Sequence, residues 1–202
     1  MNAQQLQALG IDAKWLKPLN DTFTKYDIST PKRQAAFIGQ CGHESNNFKV
    51  LEENLHYSAS ALMRTWPSRF PDMDTAEKYA NNPKKIASKV YAGRMGNLTE
   101  EDAATYTGRG LIQLTGRENY EHCGSSLGVD LIGDPDRLLD PEYAALSAGW
   151  FWNKKGLNSL ADIGDVVTLT KRINGGTIGL DDRVMRTNRA LAVLGQDTAP
   201  TA

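Results

Sequence analysis

The sequence has few cysteines, no long apolar run and no excess of charge of either sign. Only Cys41 and Cys123 occur in 202 residues, which excludes a disulfide-dense secreted scaffold and suits synthesis in a reducing cytosol. Lysine and arginine number 23 and aspartate and glutamate 24, and this balance, without a basic stripe, predicts no nucleic-acid partner. An anionic polymer would have to be bound by local charges.

Signals for targeting and for membrane insertion are also missing. No apolar run approaches the roughly 20 residues of a membrane-spanning helix. The segment 1–10, MNAQQLQALG, has neither the basic part nor the apolar part of a signal peptide. We therefore expect synthesis without a signal peptide and no stable association with a membrane.

Helix signals dominate what is present. Hydrophobic residues make up 40% of the chain and charged residues 23%, a composition that supports a packed core. Thr30-Pro31 predicts the start of a helix over about 31–45, and Asp140-Pro141 predicts a helix that Gly156 ends. Further helices are predicted to begin near Asp74, Pro83, Thr99, Thr115, Asp165 and Asp181.

Strand signals are weak by comparison. No apolar–polar alternation is sustained, so we expect only short extended pieces near 55–62 and 108–114. The sequence predicts a mainly α fold with at most short strands. We expect one domain over 1–202, in which about 60–105 forms a small helical lobe. The tail, 197–202, is expected to fray.

Glu44 is the first candidate for acid–base chemistry. On a helix over 31–45, Phe37, Cys41 and Glu44 fall within about 60° of one another, so Glu44 lies on or beside the face that packs inward. An apolar setting favours the protonated form of a carboxyl group, as a general acid working near neutral pH requires. A glutamate at the helix end whose carboxylate reaches water is the simpler alternative.

Glu53 lies nine residues after Glu44 and supplies a second carboxyl group. An unbroken helix would separate the two by about 13.5 Å along its axis. Asn46-Asn47 is a poor helix interior, so we predict a break there that lets the chain fold back and place Glu53 across a groove from Glu44. An inverting glycosidase needs its carboxyl groups about 6.5–9.5 Å apart. Spacing alone leaves open that Glu53 is a solvated acid beside Glu52.

The histidine and cysteine spacing gives no metal site. His43 begins a stretch like the zinc motif H-E-x-x-H, but Asn47 stands where the second histidine would be. A looser set of Cys41, His43, His122 and Cys123 matches no common zinc spacing. We predict no metal and no cofactor, and we expect His43 to form a hydrogen bond that orients the acid.

A glycine-containing run at 106–115, YTGRGLIQLT, carries further candidates. Its glycines allow a close approach of the backbone, and it lacks the lysine and the strand–helix frame of a nucleotide loop. Arg109 and Gln113 could bond sugar hydroxyl or acetamido groups. Thr115 is also explained as the N-cap of the next helix, and the two roles are compatible.

Two later features have plain structural explanations when taken singly. The sequence INGG at 173–176 is explained as a helix stop, and Arg183 and Arg186 as surface charges. Combined in chain order with the earlier segments, they resemble glycoside hydrolase family 19, the family of plant and bacterial chitinases and of phage endolysins with the same fold. The matching segments, which span about 43–186, are His43-Glu44-Ser45, Glu53-Asn54, 106–115, Asn119-Tyr120, 173–176 and Arg183-Val184.

The resemblance implies a two-lobed, mainly helical, lysozyme-like fold with a central cleft. It implies that Glu44 is the general acid, that Glu53 is the general base and that Thr115 helps to hold the attacking water. It places sugar contacts at Gln113, Asn119 and Asn174, and an arginine linked to the carboxylate network at Arg186. The residues expected to bind substrate are therefore His43, Arg109, Gln113, Asn119, Asn174 and Arg186.

Departures from the plant-type enzymes favour a phage endolysin within this family. Thr177-Ile178 follows the 173–176 turn, where those enzymes often have a further acidic residue, and their several disulfides are missing. We expect a monomeric lysozyme-type enzyme that cuts the β-1,4 bonds of peptidoglycan with inversion and causes lysis of the bacterial host. It would be made in the host cytoplasm and act in the periplasm or cell wall, with a holin or comparable partner for export.

Three alternatives stay open at this point. The first is a chitinase that acts on chitin oligomers by the same mechanism. The second is a zinc-dependent amidase or peptidase that cuts the stem peptides of peptidoglycan. The third is a wall-binding module without catalysis, against which the presence of both glutamates argues.

Overall fold

A computed structural model describes residues 1–198 of the chain, and these residues are mainly helical. Among them β structure is limited to two isolated antiparallel bridges, Glu52 with Arg109 and Arg109 with Leu114. The predicted mainly α class is confirmed. Over the same residues, no helix combines the length and the apolar character that crossing a membrane demands. Residues 199–202, the end of the tail expected to fray, lie outside the described part.

The described residues contain twelve α-helices and three short 3₁₀ helices. The 3₁₀ helices are Ala13–Trp15, Pro135–Leu139 and Gly195–Thr198, of which the last follows the final α-helix. The α-helices are α1 (Ala3–Ala8), α2 (Leu16–Lys25), α3 (Pro31–Glu44), α4 (Ala59–Thr65), α5 (Met73–Glu77), α6 (Pro83–Tyr91), α7 (Glu100–Thr105), α8 (Arg117–Leu127), α9 (Pro141–Lys154), α10 (Leu157–Asp162), α11 (Val166–Asn174) and α12 (Leu180–Leu194).

Local capping explains most helix boundaries. The side chain of Thr30 accepts a backbone N–H of the first turn of α3, where Pro31 also lies. Thr99 and Asp102 form the predicted capping box at the start of α7. Gly156 follows α9 in the left-handed conformation that ends helices, as predicted. These boundaries depend on residues within one turn of the helix end, which is why the sequence predicts them.

The predicted N-cap of α8 is wrong. Gly116, with φ of 95°, is the N-cap, and Thr115 lies outside the helix. The first turn is capped from a distant loop instead, because the side chain of Asn97 accepts the N–H of Arg117 at 2.8 Å and the carbonyl of Met95 accepts that of Glu118 at 3.1 Å. A contact across 20 residues replaces the local cap.

Two other expected boundaries also need correction. Residues 59–62, expected to be extended, belong to α4, because Ser58 caps that helix. Helix α12 begins at Leu180, before the expected Asp181, because its N-cap is Gly179 with φ of 70°. In the segment 108–114, extended pairing is limited to the bridges at Arg109 and Leu114.

The chain divides into two compact units. Unit 1 comprises Met1–Leu51, Gly110–Gln113 and the described residues from Leu138 onward, and it contains α1–α3 and α9–α12. Unit 2 comprises Glu52–Arg109 and Leu114–Arg137, and it contains α4–α8. The segment 60–105, expected to form a small lobe, lies inside unit 2.

Unit 1 is built around an aromatic core and a close contact between two helices. The ring of Phe37 on α3 lies edge-on to Phe23 of α2 and Trp152 of α9, with centroids 5.6 and 5.3 Å away. Helix α12 passes close to α3 at Gly39, where a Cβ atom would lie 2.9 Å from the backbone nitrogen of Thr187. Only glycine permits this approach, which brings the first turn of α12 to the C-terminal end of α3.

Unit 2 has its own core, to which α6 contributes most. Ile86, Ala87 and Val90 are fully buried on one face of α6, together with Phe70. The Phe70 ring packs on Tyr79, with centroids 5.5 Å apart. This packing fixes the rotation of α6 about its axis. The orientation of the helix in turn allows Tyr91, its last residue, to contact Glu53.

Candidate active site

The predicted break after Glu44 is present. Helix α3 ends at Glu44, and residues 46–48 all have left-handed φ angles of 48°, 58° and 66°. The hydroxyl of Ser45 donates to the carbonyl of Cys41 at 2.6 Å and accepts the N–H of Phe48 at 2.9 Å. Side-chain bonds therefore reinforce the helix stop, and Glu44 becomes a helix-terminal residue.

The carboxylate of Glu44 is held by a buried arginine in unit 1. Arg183 Nη2 donates to Glu44 Oε1 at 2.6 Å, and the side chains are 1% and 21% exposed, respectively. The same guanidinium donates to Gln40 Oε1 at 2.6 Å and to the carbonyl of Ile178 at 3.1 Å. The setting of Glu44 is thus an ion pair, and the apolar setting expected from the sequence is wrong. Within residues 1–198, Glu44 Oε2 has no hydrogen-bond partner.

The arginine that contacts this carboxylate is Arg183, whereas the sequence placed that role on Arg186. Arg186 donates to Asp182 at 2.7 Å and to Asn47 at 3.3 Å. Arg183 is not a surface charge, because it lies in phase with the buried stripe of α12, which continues through Thr187, Ala190 and Leu194. That stripe was the signal that could have identified Arg183, since a residue in phase with it points inward.

His43 is oriented by an acidic residue of α12. His43 Nδ1 lies 2.7 Å from Asp182 Oδ2, the oxygen that also accepts from Arg186. Burial acts to raise the pKa of Asp182, but the hydrogen bonds from Arg186 and His43 outweigh it and lower the pKa. A Cβ atom at Gly179 would lie 3.1 Å from His43 Nδ1 and closer still to the rest of the ring, so glycine makes room for the imidazole. His43 and Arg186 therefore share the carboxylate of Asp182, while Glu44 belongs to the separate set of bonds around Arg183.

Glu53 is held by neutral donors in unit 2. Tyr91 Oη donates to Glu53 Oε1 at 2.9 Å, and the backbone N–H of Gly108 donates to Oε2 at 2.5 Å. The backbone N–H of Glu53 in turn donates to the carbonyl of Gly108 at 2.9 Å. Burial and the negative charge of Glu53 raise the pKa of Tyr91, so its hydroxyl remains a donor at neutral pH. Neither Tyr91 nor Gly108 was identified from the sequence as a partner of Glu53.

Arg109 anchors the glycine-containing run from inside unit 2. Its Nη1 donates to the carbonyl of Thr105 at 2.8 Å and to Tyr120 Oη at 3.1 Å, and Nε lies 3.1 Å from Asp136. Its backbone forms both isolated bridges. Arg109 is 8% exposed, so the structure places its guanidinium among protein partners and not on an accessible surface. Its anchoring of the run keeps the neighbouring Gly108 in position to bind Glu53.

Two other predicted residues of unit 2 lie side by side. Asn119 Nδ2 donates to the carbonyl of Thr115 at 2.8 Å, and both residues are half-buried. This bond fixes the backbone just before α8, whose N-cap is Gly116.

Gln113 and Asn174 belong to unit 1. Gln113 has a left-handed φ of 56°, and its amide donates to the carbonyl of Gly110 at 3.0 Å. Strained non-glycine residues of this kind cluster at functional sites. Asn174 is exposed at the end of α11, where its side chain accepts the N–H of Gly176 at 3.0 Å. Gly175, with φ of 80°, ends the helix there, as predicted.

A metal site finds no support in the arrangement of side chains. In residues 1–198, no cluster of three or more His, Cys, Asp or Glu side chains could ligate a metal ion. The ring of His43 is bonded to Asp182. The thiol of Cys41 is buried on α3, where burial and the charge of Glu44 raise its pKa well above the usual value.

Comparison with known proteins defines the class of enzyme. Residues 19–168 match the glycoside hydrolase family 19 profile, described as chitinase class I. A glycosyl hydrolase family 19 domain-containing protein of Haemophilus influenzae is 42% identical over 167 residues, 82% of this chain and 81% of that protein. The protein is therefore a glycoside hydrolase, and the chain belongs to glycoside hydrolase family 19.

More distant relatives carry chitinase names. Endochitinase 2 of Gossypium hirsutum is 33% identical over 131 residues, 64% of this chain, and the match spans 38% of that protein. The crystal structure of chitinase C from Streptomyces griseus HUT6037 has a TM-score of 0.68 at 20% identity, covering 100% of this chain and 95% of that one. The fold is thus the chitinase-like fold of the family.

Proposed function

We propose that this protein is a lysozyme-type endolysin that hydrolyses the β-1,4 bonds of peptidoglycan with inversion. The observation that carries the proposal is the different binding of the two glutamates. Among residues 1–198, Glu44 has one oxygen paired with a cation and the other without a hydrogen-bond partner, whereas the carboxylate of Glu53 accepts from two neutral donors. The two carboxyl groups thus have different partners and can divide the acid and base roles between them. The acid role is assigned to Glu44 and the base role to Glu53 by their match to the family pattern.

Glu44 is proposed to protonate the leaving oxygen. Arg183 occupies Oε1, so a proton carried by Glu44 resides on Oε2 and has a fixed direction. The bonds of Arg183 to Gln40 and Ile178 hold the guanidinium in place, and through it the carboxyl group. His43, itself fixed by Asp182, is proposed to bind substrate beside the acid.

Glu53 is proposed to deprotonate the attacking water. The bonds from Tyr91 and Gly108 stabilise its carboxylate without neutralising the charge, so Glu53 can accept a proton and oppose the positive charge that develops on the sugar ring. Thr115 is proposed to help hold the water. Sugar contacts are proposed for Gln113, Asn119 and Asn174.

A chitinase is the second candidate, and the names of the cotton and Streptomyces relatives favour it. We propose peptidoglycan as the substrate because Thr177-Ile178 occupies the place where plant-type enzymes often have an acidic residue. Ile178 is 75% exposed at this place. We further propose that the protein acts as a monomer in the periplasm or cell wall. A holin or comparable partner would permeabilise the membrane, and no nucleic acid or stable membrane contact is involved.

Product analysis separates these functions. Purified peptidoglycan and chitin hexamer are each digested, and products are followed by mass spectrometry and by NMR of the new anomeric centre. The endolysin proposal expects new reducing ends from peptidoglycan, formed first as the α anomer. Reducing ends from chitin alone would assign the chitinase function. New amino groups without reducing ends would assign an amidase or peptidase and contradict both glycosidase roles.

Tyr91→Phe is expected to lower the rate of hydrolysis about tenfold, because Glu53 loses one of its two donors. The measurement is the rate of release of reducing ends, split into kcat and KM, for both proteins. Tyr57→Phe, on another half-buried tyrosine of unit 2, serves as the control. An unchanged rate would show that Tyr91 does not position the base.

A further inference from the structure

Unit 2 contains a concave basic surface, which we call the basic groove. Its volume is about 960 Å³. Five basic side chains line it, and two acidic ones, Glu100 and Glu101, line it as well. The basic residues are Arg69, Lys78, Lys84, Lys85 and Lys89. Positive charge therefore prevails in this groove, although the whole chain has a net charge of −1.

The cations of the basic groove are not neutralised by the protein. None of the five forms an ion pair with another residue of the described chain, 1–198. Four of them are exposed, and Lys89 is half-buried. Like charges gathered in a concave surface repel one another, and they attract an anionic ligand more strongly than the same charges spread over a flat surface would.

Two of these lysines occupy helix positions at which a positive charge is unfavourable. Lys84 and Lys85 lie in the first turn of α6, directly after Asn82 and Pro83, and that turn has no acidic residue. The N-terminal end of a helix is positive and favours acidic residues. Both lysines therefore reduce the stability of α6, and their charge adds to that of the helix end. Binding of an anion explains this arrangement, whereas stability does not.

The basic groove is held in a fixed shape. Lys89 Nζ lies over the rings of Tyr79 and Phe70, 5.1 and 5.8 Å from their centroids. The hydroxyl of Ser88 is bonded to the carbonyl of Lys84 at 2.9 Å and to that of Glu100 at 3.1 Å, which joins α6 to α7. A preformed site loses less conformational freedom when it binds.

Helix α6 links the basic groove to the proposed base. Lys84 lies in its first turn, and Tyr91, the donor to Glu53, is its last residue. The two positions are about 10 Å apart along the helix axis. A ligand in the basic groove would thus be attached to the helix that positions Glu53.

We propose that the basic groove binds the carboxylates of the stem peptides that peptidoglycan carries on its glycan strands. Chitin has no such charge, whereas each stem peptide offers several free carboxylates, and its amino groups can pair with Glu100 and Glu101. The groove would attach the enzyme to its substrate by a group that the reaction does not alter. This inference rests on the proposed action on peptidoglycan.

The test is binding to purified peptidoglycan sacculi, measured by co-sedimentation on ice with the full chain. The groove variant is Lys84→Glu/Lys85→Glu, which should fold because acidic residues suit the first turn of a helix. The control is Lys25→Glu/Lys171→Glu, the same change of net charge at exposed positions of unit 1. We expect the groove variant to bind about tenfold more weakly, the control to bind as the wild type does, and wild-type binding to weaken as salt rises.

Binding to sacculi from which the stem peptides have been removed tests whether those peptides are the ligand of the basic groove. Wild-type protein is expected to bind these bare strands as weakly as the groove variant binds intact sacculi. Equal wild-type binding to bare and intact strands, unchanged binding of the groove variant, or an equal loss in the control would each overturn the proposal. Reducing ends released from peptidoglycan by the wild type report on the proposed function separately. If these ends appear while the groove variant binds normally, only the groove proposal fails.

Discussion

Glu53→Gln is expected to reduce glycan hydrolysis at least about a hundredfold, because an amide cannot accept the proton of the attacking water. The folded state should tolerate the change. The amide oxygen can accept from the Gly108 N–H, and the amide nitrogen can donate to Tyr91 Oη once that hydroxyl rotates. Rates are measured as reducing ends released, and the free energy of unfolding by chemical denaturation.

Glu44→Gln is expected to cause a comparable loss of activity, since the amide carries no proton to donate. Its effect on stability should be larger, because buried Arg183 then lacks its counter-charge. Glu52→Gln, at the exposed acid beside Glu53, is the control and should retain activity. Wild-type rates from a folded Glu44→Gln or Glu53→Gln protein would remove the corresponding assignment.

Arg183→Met is expected to lower the free energy of unfolding by about 3 kcal/mol, the cost typical of breaking a buried ion pair. Arg183 is 1% exposed, and its loss leaves Glu44, Gln40 and the carbonyl of Ile178 without their donor. Chemical denaturation of both proteins measures the difference. Arg186→Met, in which the replaced side chain is 26% exposed, should cost much less.

A double variant distinguishes the ion pair from simple loss of packing. Glu44→Gln/Arg183→Met should be less destabilised than the two single variants summed, by about 1 kcal/mol or more, because the pair is then removed as a whole. Strict additivity would mean that the contact between Glu44 and Arg183 contributes nothing to stability. The stabilising role of the ion pair would then have to be abandoned, whatever the activity data show.

The sequence predicts those features of the fold that depend on neighbouring residues. Thr30-Pro31 and the Thr99 capping box set helix starts through bonds within one turn. Asn46-Asn47 predicts the break after α3, because asparagine adopts left-handed angles more easily than most residues. The mainly α class follows from many such local signals.

Features that depend on distant contacts were not predicted. The cap of α8 comes from Asn97, and the donors to Glu53 come from positions 38 and 55 residues further along the chain. The phase of Arg183 with the buried stripe of α12 indicated that it points inward, but its ion pair with Glu44 depends on the approach of α12 to α3 at Gly39, which no local pattern reports. The sequence thus identified candidate carboxyl groups but not the groups that hold them.

The lysines at the start of α6 have a consequence for engineering. Screens for heat resistance commonly recover surface substitutions that complement helix ends. At Lys84 and Lys85 such a screen would favour glutamate. If the basic groove binds peptidoglycan as proposed, the recovered enzymes would survive heating longer but bind the cell wall more weakly. Heat-resistant variants of this enzyme should therefore be compared by their lytic activity on whole cells. Selection by melting temperature alone would favour substitutions that weaken binding.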